Sequence, residues 1–204
     1  MMTPYSLTHE GYEIQFGTNH MGHALLTKLL LPVLLRTADE AGAKSDVRIV
    51  NLTSLGHHGA PSGGILWDQS ALEKEFTQRR YGQAKLANIL FTRELATRYP
   101  TITSVAVHPG IIVTDLYTAV SSNFVVKIGL WIYGSLFRFL PGHFTSTEGG
   151  ALNQTWAAVS GEVESGGLYY PVGKRAEGSA YARDDGLAKK LWEWTEGELE
   201  KHGY

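Results

Sequence analysis

The apolar positions along this chain change period several times, and the changes mark its elements. Across residues 12–38, Leu25, Leu26, Leu29, Leu30, Val33 and Leu34 recur at three- to four-residue spacing, which predicts a helix with a wide apolar face. Pro32 sits inside that pattern and should bend or loosen the helix, because it lacks a backbone donor and crowds the preceding turn. Residues 47–53 form a β-branched apolar run of the length expected for a buried parallel strand. A Gly-, His- and Pro-rich loop follows at 56–64, and Leu86, Ile89, Leu90 and Leu95 then restore helical spacing across 81–99, ended by Pro100. Residues 102–108 read as a second buried strand stopped by Pro109-Gly110, 147–159 as a further helix and 168–172 as a short strand. Strands alternating with helices, the strands apolar on both faces, predict an α/β fold with a parallel sheet covered on each side. No repeat, linker or low-complexity tract divides residues 1–204, so a single domain is expected.

Composition narrows the function classes. Of 204 residues, 19% are charged and the net charge is -2, so the chain lacks the basic stripe that phosphate backbones attract, and nucleic acid is not expected as a partner. The absence of cysteine excludes disulfides, thiolate catalysis and Cys-based zinc sites. His57, His58 and His108 have no convincingly spaced third ligand or carboxylate, so a metal site is not expected. Residues 1–13 do not have the basic-then-apolar pattern of a secretory signal, and a cytoplasmic location is the expectation. The apolar stretch 124–140 bears on membrane association. It is interrupted by Lys127 and Arg138 and is shorter than the roughly 20 residues a span requires, so a lid over a substrate pocket is preferred to a patch dipping into lipid. Two sequons, at Asn51 and Asn153, carry little weight, since the first falls within an apolar strand pattern.

Candidate chemistry lies near the ends of the expected strands. Tyr81 and Lys85 stand four residues apart and therefore on one helical face. A phenol titrates near pH 10, about three units above neutrality, so proton transfer there requires a nearby cation that favours the phenolate. Such a pair also occurs on ordinary solvated helices. Ser54, just after the 47–53 strand, occupies the position where open α/β sheets place reactive groups; it could donate to a carbonyl oxygen or cap a turn. Asn19, in Phe16-Gly17-Thr18-Asn19-His20-Met21-Gly22-His23, is a polar residue in a core helix pattern, and bonding to its own helix backbone is the simpler role.

Taken together, these segments resemble the short-chain dehydrogenase/reductase family, particularly its retinol-dehydrogenase-like and WW-domain-oxidoreductase-like branch. Residues 16–23 resemble the helix carrying the family's catalytic Asn, 48–54 the strand ending in its Ser, and 81–95 its Y-x-x-x-K helix, while His108-Pro109-Gly110 with Thr114 resembles its P-G-x-x-x-T turn. The likeness runs from Tyr5 to about Gly173. It implies hydride transfer between NADP or NAD, with NADP favoured by the likeness alone, and a carbonyl/alcohol pair. In that scheme Tyr81 is the general acid or base, Lys85 favours its phenolate and binds the nicotinamide ribose, Ser54 holds the substrate oxygen, and Asn19 fixes a water linking Lys85 to solvent. Pro109, Gly110, Ile112 and Val113 would contact the nicotinamide. Thr114 would contact the pyrophosphate or, equally, cap a helix. The apolar variable segment 116–144 favours a lipophilic alcohol, aldehyde or ketone as substrate.

The same resemblance implies that the fold is a partial doubly wound, Rossmann-like parallel sheet lacking the N-terminal βαβ dinucleotide-binding half, because no Gly-rich turn precedes residue 16. The 47–53 strand should then be an apolar edge. Two expectations follow: a working oxidoreductase whose polypeptide is longer, or an inactive truncated homologue acting as an interaction module. The 25–34 and 81–99 helices, which form dimer surfaces in related proteins, are candidate homodimer contacts.

Overall fold

The computed structural model describes residues 3–110, 112 and 146–204. Val113, Thr114 and the whole 116–144 segment singled out by the sequence, the 124–140 stretch included, lie outside them. Strands β1 (Arg48–Leu52), β2 (Thr103–Val107), β3 (Leu168–Tyr169) and β4 (Arg175–Ala176) form one sheet in that order. β1 and β2 run parallel from Arg48↔Thr103 to Leu52↔Val107, and β2 and β3 are parallel at Ala106↔Leu168 and Val107↔Tyr169. β4 returns antiparallel to β3, a pairing the apolar pattern did not announce because each strand is only two residues long.

Helices cover both faces. Successive residues of a strand point to opposite sides. Ala106 and Leu168 join the cluster built on helix α3 (Thr77–Arg98), whereas Val105, Val107 and Tyr169 pack with Ala157 and Trp156 of helix α4 (Thr147–Val159) on the other side. The bounds of α4 are those the sequence predicts, and α3 starts one turn earlier than expected. A C-terminal helix, α5 (Asp185–Lys201), completes the α3 side: Asp184 caps it by accepting from the Leu187 N–H at 2.9 Å, and Trp192 stacks on Phe91 at 5.1 Å.

Two expectations are corrected. β1 is not fully buried: Arg48 to Asn51 are half-buried and Leu52 is 44% exposed, because among the described residues β1 has a strand neighbour on one side only. The 12–38 helix is composite. A single turn, α1 (Ile14–Phe16), passes through a π-helical turn (Gly17–Met21) into α2 (Gly22–Ala41), which runs on through Pro32. α2 buries Ala24, Thr27, Leu31 and Ala38 but leaves Leu26, Leu29, Leu30 and Val33 exposed. Among the described residues, its apolar face is wider than the surface that covers it.

One close approach holds the catalytic-looking segments together. A 3-10 turn (Leu55–Gly59) crosses α3 at Gly82, where an added Cβ would lie 2.7 Å from the Gly56 carbonyl oxygen and 2.8 Å from the Ala60 nitrogen. Backbone cannot yield there as a side-chain tip can. Although alanine is the better helix former by about 1 kcal/mol, Gly82→Ala is expected to destabilise the chain by about 1–3 kcal/mol through overpacking. A urea melt checks this, and a variant as stable as the parent would mean that the turn does not rest on α3.

Candidate active site

Parallel pairing brings the C-terminal ends of β1, β2 and β3 to one edge of the sheet, so Ser54, His108-Pro109-Gly110 and Tyr170 emerge side by side. This is the edge at which open α/β sheets bind ligands. Ser54 is extended, and its Oγ accepts from the Gly56 N–H at 3.1 Å, capping the 3-10 turn. The capping role read from the sequence is therefore real. It also leaves the hydroxyl proton available, since the cap uses only a lone pair.

Tyr81, in the second turn of α3, faces the same glycine. A Cβ on Gly56 would lie 3.0 Å from Tyr81 Cε1 and 3.4 Å from Ser54 Oγ, so the phenol ring and the serine hydroxyl share one neighbour that has no side chain. One turn further along, the Lys85 ammonium lies 5.7 Å from the centre of the Tyr81 ring. Lys85 is 8% exposed and donates to the Leu52 carbonyl at 3.3 Å. Burial lowers its pKa to about 8, which leaves it a cation at neutral pH.

A line of polar contacts fixes α3 against β1. The Asn88 amide donates to the Leu52 carbonyl at 2.9 Å and the Thr53 hydroxyl to the Lys85 carbonyl at 2.7 Å, while the Asn51 amide donates to Thr92 Oγ1 at 2.9 Å. Residues 81, 85, 88 and 92 form one stripe of the helix. The sequence reading took only its first two members; a polar stripe on an otherwise buried helix was the signal for the rest.

Asn19 lies on the π-helical turn. Its Nδ2 donates to the Gln15 carbonyl at 2.9 Å, and its own carbonyl faces His23 Nδ1 at 3.1 Å. The side chain thus bonds its own helix. Pro109 and Ile112 are half-buried, and Gly110 has φ +89, where a side chain would be strained.

His57 and His108 border the site; among the described residues no group of three His, Asp or Glu stands close enough to hold an ion. His57 Nε2 accepts from the Ser179 N–H at 3.1 Å, so the ring proton resides on Nδ1, where it is donated to the Ser54 carbonyl at 2.7 Å. His108 borders a cavity of about 40 Å³ shared with Ser54, His57 and Tyr170. Both sequon asparagines are engaged: the Asn51 amide on Thr92, and the Asn153 amide on the carbonyls of His108 and Tyr169 at 2.8 Å each.

Two buried histidines, His108 and His20, give the chain an acid limit. Burial, reinforced by the nearby His57, lowers the pKa of His108 from 6.5 to about 4; burial lowers that of His20, which faces Thr195 Oγ1 at 3.0 Å, to about 3. Below pH 6.5 the unfolded chain binds protons that the fold refuses. Their contribution is therefore fully present above 6.5 and is lost as pH falls towards 4 and then 3. Between pH 6.5 and 4.5 the loss should be about 2–3 kcal/mol for each of the two rings. Urea midpoints measure it, and a His20→Gln chain whose pH slope equals the parent's would refute the assignment.

No helix among the described residues is long and apolar enough to cross a membrane. No family model matches the chain. Individual proteins do. A short-chain dehydrogenase/reductase, drtF, from Aspergillus calidoustus is 39% identical over 98% of this chain, and retinol dehydrogenase 12 of Mus musculus is 37% identical over 94% of it. The chain spans 66% and 56% of the lengths of those relatives. Among solved structures, that of an uncharacterised protein from Mycobacterium paratuberculosis superposes with a TM-score of 0.68 at 26% identity, over 98% of this chain and 63% of its own.

Proposed function

Because the chain belongs to the short-chain dehydrogenase/reductase family, we propose that it carries the catalytic residues of an NAD(P)-dependent oxidoreductase that interconverts the carbonyl and alcohol of a lipophilic small molecule. What carries the reading is the meeting of Ser54 and Tyr81 on Gly56 with the Lys85 cation 5.7 Å from the phenol ring.

The residues present fit the nicotinamide-ribose end of such a cofactor. The Lys85 ammonium has three N–H groups, of which the described residues engage one, at the Leu52 carbonyl; the others would reach ribose hydroxyls. Pro109, Gly110 and Ile112 would flank the nicotinamide, with Thr114 towards the pyrophosphate. When bound, the cofactor supplies or takes the hydride. NADP is favoured over NAD by family likeness alone.

The chain's own residues manage the proton. Ser54, its lone pair tied to Gly56, turns its hydroxyl proton to the substrate oxygen and stabilises negative charge there. Tyr81 gives that oxygen a proton in reduction and withdraws it in oxidation. Lys85 stabilises the phenolate left behind, and Asn19, through its π-helical turn, holds a water between Lys85 and solvent. The lipophilic substrate class is supported by the apolar 116–144 segment and by the retinol dehydrogenase named among the relatives.

A second reading, an interaction module without turnover, is favoured by the exposed Leu26, Leu29, Leu30 and Val33 and by the side of β1 that has no strand neighbour among the described residues. Cofactor-dependent melting separates the two. At 100 times the dissociation constant a bound cofactor adds about 2.7 kcal/mol, which is roughly 5–10 °C for a domain of this size. A melting curve indifferent to saturating NADPH and NADH rejects the oxidoreductase reading for this chain.

A further inference from the structure

Helix α4 reaches the active-site edge from the face of the sheet opposite α3, and none of the family motifs lies on it. Two of its residues nevertheless meet the segment that follows β2. Asn153 is 2% exposed in a helix whose other buried residues are Gly150 and Ala157. Its Nδ2 has two N–H groups, and both are used: one on the carbonyl of His108, the other on that of Tyr169, each at 2.8 Å. Those carbonyls end two adjacent parallel strands. The asparagine therefore continues the sheet's hydrogen bonding one step past the ladder and fixes the point from which Pro109 departs.

One turn earlier, and on the same face, Gly150 receives Ile112. An added Cβ there would collide with Ile112 Cδ1 and lie 2.5 Å from its Cγ1. A glycine in the interior of a helix costs about 1 kcal/mol relative to alanine, and here it makes room for one particular side chain. Asn153 holds the start of the 108–112 segment and Gly150 its end.

We infer that Gly150 and Asn153 are positioning residues for the cofactor: together they form the seat that sets the height and direction of Pro109, Gly110 and Ile112. The inference rests on the reading of that segment as the nicotinamide contact. Neither residue touches the reacting atoms. Their effect is geometric, and misplacement by about 1 Å at such a contact can cost two orders of magnitude.

The test uses the full chain in four forms: parent, Gly150→Ala, Gly150→Ala with Ile112→Ala, and Asn153→Leu. It has two readouts, amide hydrogen exchange at Gly110 and Ile112 without cofactor, and the NADPH dissociation constant, with melting temperature as the check on folding. In Gly150→Ala, exchange at both amides should rise and NADPH should bind about tenfold more weakly or worse. Removing the Ile112 side chain should return exchange at Gly110 to within about threefold of the parent's, a reversal that general loosening of the fold cannot give. Asn153→Leu should raise exchange at Gly110 more than at Ile112. Unchanged exchange in Gly150→Ala overturns the seat whatever the cofactor does. Raised exchange with unchanged NADPH affinity overturns its role in cofactor positioning. A parent chain that binds no NADPH overturns the underlying reading instead, and the exchange measurement tells the two failures apart.

Discussion

Replacing Tyr81 by phenylalanine is expected to lower turnover by about 10²- to 10⁴-fold, the range spanned by general acid–base catalysis, with little change in melting temperature. The substitution keeps the ring that rests on Gly56 beside Ser54 Oγ and removes only the hydroxyl that exchanges the proton. Ser54→Ala should cost about 10²- to 10³-fold, since it removes one donor to the developing oxyanion, and it should also loosen the 3-10 turn that Ser54 caps. The decisive comparison is kcat for a lipophilic aldehyde in the two variants alongside their thermal melts. If Tyr81→Phe retains the parental kcat, the phenol is not the acid and the proposed chemistry is wrong.

The largest effect on stability is expected at Arg80, the residue before that phenol. Arg80 and Glu13 form an ion pair at 3.1 Å with side chains 6% and 0% exposed. The closest atoms, Arg80 Nε and Glu13 Oε1, are not aligned as a hydrogen bond, so their attraction is that of charges in a poorly solvated place. The remaining capacity of both groups is well used. Glu13 Oε2 accepts from the N–H groups of Gln15 and Phe16 at 2.9 Å, capping α1, and the Arg80 guanidinium donates to the carbonyls of Glu75 and Thr3 at 2.7 Å. Arg80→Met should cost about 3–5 kcal/mol, because it leaves a buried carboxylate without its counter-charge. Adding Glu13→Gln should recover part of the loss. Chemical denaturation of the two single variants and the double variant gives the coupling energy, and additive losses would mean that the pair does not interact.

How much of this was legible in the sequence depends on whether the signal was local. Tyr81 and Lys85 are, lying one helical turn apart, and Ser54 follows an apolar run that could only be a strand. Their meeting on Gly56 is not local, because it depends on Gly82 letting a turn 26 residues earlier pass against the helix. Asn88 and Thr92 escaped notice for the same reason: their partners lie on β1, and a polar residue in a helix reads as solvated until its partner is known. Asn153 was legible only as a sequon, because its two acceptors, the carbonyls of His108 and Tyr169, lie far from it in the sequence. Residues past 173 lie beyond the likeness read from the sequence, yet α5 had readable signals in its Asp184 cap and in Leu187, Leu191, Trp192 and Leu199. The apolar face of α2 was legible as a pattern, but a pattern does not say how much of itself is covered.

The π-helical turn at Gly17–Met21 makes this stretch intolerant of a change in length. Such a turn behaves as a helix with one residue too many, so deleting a single residue between 17 and 21 would heal it into regular α-helix and improve its backbone hydrogen bonding. Each helical residue advances about 100° around the axis. The repair would therefore swing everything upstream by roughly that angle relative to α2, carrying Glu13 away from Arg80. A shorter and locally better helix would leave the chain less stable as a whole.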